Sequence, residues 1–275
     1  MTSPDPLQGT KTPIALTIAG SDSGGGAGIQ ADLKSFSALG VYAASVITAL
    51  TAQNTLGVQG IHDIPAEFVA RQMDSVFSDL AVGAVKIGML SVPETIEAVA
   101  AGLARHFAGP VVLDPVMVAT SGDTLLSERA IHTLKTRLLP RADLLTPNLA
   151  EAARLLETTI ARGEPAMLAQ AKALLAMGAR AVLMKGGHGE GPEAVDLLVR
   201  PGETQRFATP RIATRNTHGT GCTLSSAIAA GLAKGFALPE AVGAAKAYVQ
   251  AAIEAADRLE IGHGHGPTHH FHAFW

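Results

Sequence analysis

Ile14-Ala15-Leu16-Thr17-Ile18-Ala19-Gly20-Ser21-Asp22 runs into Ser23-Gly24-Gly25-Gly26-Ala27-Gly28, and a helical stretch follows to about Leu39. A nearly unbroken apolar run fits a strand buried on both faces. The polar stop and the glycines then supply a turn from which a helix can start. This strand–turn–helix unit recurs. Val41 to Ala49, Val82 to Ile87, Val111 to Asp114, Asp143 to Thr146 and Ala181 to Lys185 read as strands. Helices are expected over Pro65 to Leu80, with Pro65 at the favoured first position, over Pro93 to Phe107 and Ser127 to Leu139, and from about Leu149 and Glu164. The alternation predicts an α/β fold: a mostly parallel central sheet, doubly wound, with helices on both faces in three α/β/α layers. After Lys185 the pattern changes. Val195 to Arg200 and Gln205 to Ala208 flank Pro201-Gly202-Glu203 and predict a hairpin. Residues 13–275 are expected to form one domain, preceded by a disordered polar leader over Met1 to Thr12.

Composition narrows the function classes. The 275 residues are 47% hydrophobic, enough for a sizeable core. The net charge of −3, with no Lys/Arg cluster, disfavours nucleic acid as a partner. The apolar run Ala169 to Ala176 is interrupted by Lys172 and far too short to span a membrane, so no membrane partner and a cytoplasmic location are expected. A single cysteine excludes an internal disulfide and fits a reducing compartment.

Polar residues and glycines gather just past strand ends: Gly20-Ser21-Asp22, Gly88-Met89, Asp114, Asn148 and Gly186-Gly187. Open α/β sheets bind ligands at that edge. The segment Asn216-Thr217-His218-Gly219-Thr220-Gly221-Cys222-Thr223 belongs with them. Gly219-Thr220-Gly221 can turn backbone N–H groups toward one point, and a small-residue helix from about Thr223 to Gly235 aims its positive end there. This predicts a site for a phosphate or a developing negative charge. Cys222 at its mouth is either a tuned nucleophile or proton acceptor, or a small buried apolar residue. The first glycine-rich turn matches neither a dinucleotide fingerprint nor a P-loop. Asp32, four residues after Gly28, is expected to reach back over that turn. Asp114 is either a helix-cap residue or a metal ligand. Asn148 and Glu151 read as an N-cap and its capping-box partner, or as oxygen ligands of Mg²⁺ and its waters. Lys185-Gly186-Gly187-His188 can lie along a polyphosphate, or simply end a strand. Five of the 10 histidines fall in the tail beyond Gly262, whose glycine interleaving fits a rigid packed loop better than a zinc site.

Taken together these segments resemble a known family. Gly219-Thr220-Gly221-Cys222 is similar to the anion-hole motif of ribokinase-like small-molecule kinases. The set Ile18 to Asp32, Thr48 to Thr55, Lys86-Ile87-Gly88-Met89-Leu90, Asp114-Pro115-Val116-Met117, Thr146-Pro147-Asn148, Lys185 to His188 and Gly262 to Phe271 resembles the bacterial hydroxymethylpyrimidine/phosphomethylpyrimidine kinases of thiamine biosynthesis. The likeness takes up Pro13 to Trp275, and the fused extensions of some members are expected to be absent. One departure is Ala150, where that family usually has proline. The resemblance implies a ribokinase-like fold and two phosphorylations by ATP with Mg²⁺. The first acts on 4-amino-5-hydroxymethyl-2-methylpyrimidine and the second on its monophosphate. It implies substrate contacts at Gly20, Asp32, Gln53 and Met89, ATP contacts at Lys185 and Asn148, and metal-side carboxylates at Asp114 and Glu151. Catalysis would fall to Gly219, Thr220, Gly221 and Cys222, in a homodimer. A pyridoxal/pyridoxine kinase and a non-catalytic pyrimidine-binding protein are the alternative readings.

Overall fold

The computed structural model describes residues 11–117, 126–187, 189 and 191–275. Most of the expected leader and His188 lie outside these residues. β1 (Ile14–Ala19), β2 (Tyr42–Ile47), β5 (Ala84–Ile87), β6 (Val111–Leu113), β7 (Leu144–Leu145) and β8 (Val182–Lys185) are parallel neighbours in one sheet. β9 (Glu193–Arg200) and β10 (Glu203–Pro210) extend it as an antiparallel hairpin, giving the order β10-β9-β8-β7-β6-β5-β1-β2. A separate two-stranded ribbon, β3 (Ala49–Asn54) and β4 (Gly57–Asp63), is held by β3 to the turn that follows β1, through Ser21 and Ser23.

Strand side chains alternate between two cores even though both sheet faces are covered. Leu16, Ile18, Val85, Ile87, Val111, Leu113, Val182 and Met184 face one core. α2 (Ala66–Asp79), α3 (Pro93–His106), α4 (Glu128–Thr133), α5 (Leu149–Leu156) and α6 (Gly163–Ala176) cover it, through residues such as Met73, Leu103, Leu155 and Leu174. Ala15, Ala84, Val112 and Leu183 face the other core, beneath Phe36 of α1 (Gly28–Ala38), Ile228 of α7 (Thr220–Ala233) and Val249 of α8 (Leu238–Glu254). The expected three-layer fold is therefore present.

Several boundaries differ from expectation; α7, for one, opens at Thr220 rather than at about Thr223. The Val41–Ala49 run is not one strand. Thr48 hydrogen-bonds to Ala19 and Met89, and the chain then leaves the sheet into β3. Pro65 caps α2 from outside rather than opening it. The expected Ser127–Leu139 helix is α-helical only to Thr133, continues as a π-turn to Leu138 and tightens into a 3₁₀ turn at Leu139–Arg141. Pro140 falls in that last turn and cannot continue an α-helix. Among the described residues no helix is long and apolar enough to cross a membrane.

Candidate active site

The strand carboxyl ends and the start of α7 meet at one edge. Gly219 caps α7 with φ +80°, and a Cβ there would collide with the carbonyl oxygen of Gly26. Only glycine meets both demands. The Thr220 N–H and hydroxyl are both given to the Thr217 carbonyl, at 3.2 and 2.7 Å. Thr220 thus shapes the turn, while Gly221 and Cys222 follow it in the first turn, where N–H groups lack helical partners. Gly221 lies against two charged groups: a Cβ built on it would be 3.3 Å from Lys185 Nζ and 3.8 Å from Asp114 Oδ2.

Those two groups form the floor of the site. Lys185 Nζ is 2.8 Å from Asp114 Oδ1 and 4.0 Å from Glu151 Oε2. Asp114 also accepts from Thr146 and from Ser225 of α7, each at 3.1 Å. Burial raises the Asp114 carboxyl, but Lys185, Lys86 and the hydrogen bonds outweigh it and hold it below its ordinary value. Lys185 is pushed above the ordinary lysine value: burial opposes this, and Asp114 and Glu151 overcome it. Asn148 and Glu151 complete a reciprocal capping box at the start of α5, 2.9 and 2.7 Å. That local reading therefore holds. It also leaves Glu151 buried beside Asp114, and burial pushes its carboxyl up to about 7.

Asp32 does not reach back over the glycine turn. It points inward, fully buried, and both oxygens lie 2.8 Å from Lys86 Nζ. Oδ1 also accepts from Ser226 of α7 and Oδ2 from Thr17 of β1, each at 2.6 Å. Asp22 holds the turn instead, accepting from the N–H groups of Gly24, Gly26 and Ala27 at 2.8–3.1 Å. His218 Nε2 lies 2.9 Å from Asp22 Oδ2, so a side-chain bond joins the two glycine loops where their backbones also pack closely. Burial raises the Asp22 carboxyl, yet the bonds from His218, Ala27 and Gly24 keep it below its ordinary value.

Cys222 is half-buried on α7. The expected thiolate preference is not what its surroundings produce. Burial pushes the thiol up to about 11; Lys86 and the Gly28 N–H pull it down, while Asp32 and Asp114 push it further up. The helix start is a weaker influence than desolvation at this depth.

On the other side of the turn, Gly20 is buried directly beneath Met89, whose methyl group occupies the space a Cβ would need. Gln53 lies on β3, its backbone paired in both directions with Ser23 Oγ at 2.8 and 2.9 Å. The histidine-bearing tail packs as a structural strap. His265 N–H bonds to Thr55, Pro267 bridges to His218, and buried His270 lies 3.0 Å from the Thr223 hydroxyl of α7. Beside the α7 turn, Ala213, Thr214, Arg215, Asn216, Asp257 and Gly264 line an open cavity of about 650 Å³. Among the described residues no cluster of three or more His, Cys, Asp or Glu side chains is arranged to hold a metal.

The edge thus gathers Gly20, Met89, Asp114, Asn148, Glu151, Lys185 and Gly219–Cys222, with Asp32 behind it and Gln53 on the ribbon. Sequence reasoning quoted Asp22, His218 and Lys86 within motifs but gave them no role, and it passed over Ser225. Lys86 did carry a signal, a lone charge inside the apolar strand Ala84-Val85-Lys86-Ile87.

Comparison with known proteins is consistent in kind. The sequence model of the phosphomethylpyrimidine kinase family matches residues 22–269. A hydroxymethylpyrimidine/phosphomethylpyrimidine kinase of Rhizobium meliloti is 64% identical over 264 residues, 96% of this chain and 99% of that one. The crystal structure of a phosphomethylpyrimidine kinase from Clostridium difficile superposes with a TM-score of 0.78 at 44% identity, covering 88% of this chain and all of that one. A Bacillus subtilis pyridoxal kinase, solved as an ADP complex, has a TM-score of 0.88 at 36% identity, covering 94% and 98%.

Proposed function

The chain belongs to the phosphomethylpyrimidine kinase family, and from that membership we propose that it serves thiamine biosynthesis by two successive transfers from ATP. The first phosphorylates 4-amino-5-hydroxymethyl-2-methylpyrimidine, and the second converts the monophosphate to the diphosphate. The observation that carries this reading is one edge holding an anion-binding helix start, a Lys185–Asp114 pair and a single thiol. The enzyme would work in the cytoplasm as a homodimer.

Phosphoryl transfer demands mainly positioning and charge stabilisation. The N–H groups of Gly221 and Cys222, with the turn set by Gly219 and Thr220, would hold the transferring phosphoryl oxygens. Lys185 would offset charge on the ATP phosphates, and Asn148 would shape the same pocket. The 650 Å³ cavity beside Asn216 is large enough for a nucleoside. Asp114 and Glu151 suit a hard cation by donor chemistry, and a divalent ion would relieve the buried Glu151 carboxyl. With two carboxylates, Mg²⁺ would depend on nucleotide phosphates for its remaining ligands; when bound it neutralises charge on them. Gly20, Met89 and Gln53 would take the flat pyrimidine, the Gln53 amide matching an aminopyrimidine edge as donor and acceptor. Asp32, with its oxygens already bonded, would act from behind this pocket rather than in it.

In the first transfer the substrate hydroxyl oxygen attacks the γ-phosphorus. The bond to the bridging oxygen breaks, ADP leaves, and the hydroxyl proton passes to the Cys222 sulfur as thiolate. The second transfer starts from a phosphate monoester, already largely dianionic at pH 7, and needs no such acceptor. Product analysis on Cys222→Ala tests this. The first phosphorylation should slow by roughly 10²–10⁴-fold and the second much less. Equal losses would return Cys222 to a packing role.

A further inference from the structure

Lys86 is among the largest fully buried side chains, yet no step above uses it. It sits on β5 directly opposite Thr17 of β1, on the sheet face that α1 and α7 cover. Asp32 of α1 grips it through both oxygens, and Ser226 of α7 grips Asp32. Ser226 lies one helical turn beyond Cys222, on the same side of α7. The lysine also extends along the strand toward the site edge: a Cβ on Gly88 would lie 2.9 Å from its Nζ. Four elements thus converge on one buried charge pair, tied through Ser226 to α7 one helical turn beyond the thiol.

We propose that Lys86, fixed by Asp32, is a positioning residue that serves as the buried counter-charge for the Cys222 thiolate. It touches no substrate, stays protonated throughout and transfers no proton. The proposal rests on the proton-acceptor reading of Cys222 for its catalytic consequence, but not for its electrostatic one. The charged groups that act on the thiol come from four elements. Lys86 comes from β5, Asp32 from α1, Asp114 from the end of β6 and Lys185 from β8. Of these, Lys86 exerts the largest charge effect on the sulfur and opposes burial, while the two carboxylates act in the other direction. The Asp32 grip has its own logic, since an unpaired ammonium at zero exposure would shed its proton. Asp32 therefore keeps the charge that the thiolate uses.

Cys222 is the sole thiol, so alkylation by iodoacetamide reads it directly and independently of phosphoryl transfer. In folded Lys86→Met protein at pH 9, alkylation should be at least about tenfold slower than in the wild type, one unit of lost thiolate. In denaturant the two rates should coincide. The first phosphorylation at neutral pH should fall in parallel and recover as pH rises, while the second stays near wild type. Unchanged alkylation of folded Lys86→Met overturns the proposal. If that variant does not fold, Asp32→Asn/Lys86→Met, which carries neither charge, decides. Its thiol should still react more slowly than wild type, and an equal or faster rate overturns the counter-charge role. Should Cys222→Ala slow both transfers equally while Lys86→Met still slows alkylation, the base assignment fails and the counter-charge assignment stands.

Discussion

At the scale of single residues, burial decides chemistry more than sequence neighbours do. Cys222 stands three residues into α7, yet its thiol rests at about 11. The thiolate share therefore grows about tenfold per pH unit across the neutral range. The rate of the first phosphorylation should climb with pH from about 7 to 10, whereas the second should level off above the monoester's second pKa of about 6. Rate–pH profiles for each step check this; parallel profiles would contradict it. Glu151 gives a prediction of opposite sign for stability. Its folded-state value of about 7 lies above the ordinary 4.5, so the native state holds the extra proton between them. That favours folding at low pH and is withdrawn as pH rises through 7. Glu151→Gln should flatten this decline, read as Tm against pH between about 5 and 8. Residue identities at the site were legible because they cluster in short motifs. Their partners were not: the Asp32–Lys86 pair spans 54 positions and Asp22–His218 spans 196, and no local period encodes such contacts.

At the scale of elements, the legible part was the alternation itself. Runs such as Ile14–Ala19, broken only by Thr17, and Val182–Lys185, apolar up to its final lysine, lack a polar face because helices cover both sides of the sheet. The β3–β4 ribbon was hidden because Val41 to Asn54 is continuous in composition, and only the tertiary bonds of Thr48 divide it. The tail was read as a packed loop, but not as a strap on the anion turn. Burial pushes the His270 imidazole down to about 3, helped by the nearby Lys34 ammonium. The native state therefore refuses a proton that the unfolded chain accepts below about 6.5, and stability drains as pH falls through that window. His270→Asn should lose about 1–3 kcal/mol at neutral pH, through its bond to Thr223, while becoming less acid-sensitive. Chemical denaturation at pH 7 and at about pH 5 tests both halves of that statement.

At the scale of the whole molecule, the fold does not by itself choose a substrate. A pyridoxal kinase superposes as closely as any relative described above, although the family match favours pyrimidines. Accordingly, kcat/KM for the hydroxymethylpyrimidine should exceed that for pyridoxal, with sedimentation giving twice the chain's mass; a preference for pyridoxal would reverse the assignment. The interlocked glycine loops have a further consequence, for anyone recombining such enzymes. Gly219 leaves room only for the bare backbone of Gly26, and His218 docks on the aspartate that folds that same turn. The glycine loops around Asp22 and His218 lie 196 positions apart, yet they form one structural unit. A chimera that grafts a foreign loop at either end must carry its native counterpart from the other, whatever the identity of the sequence between.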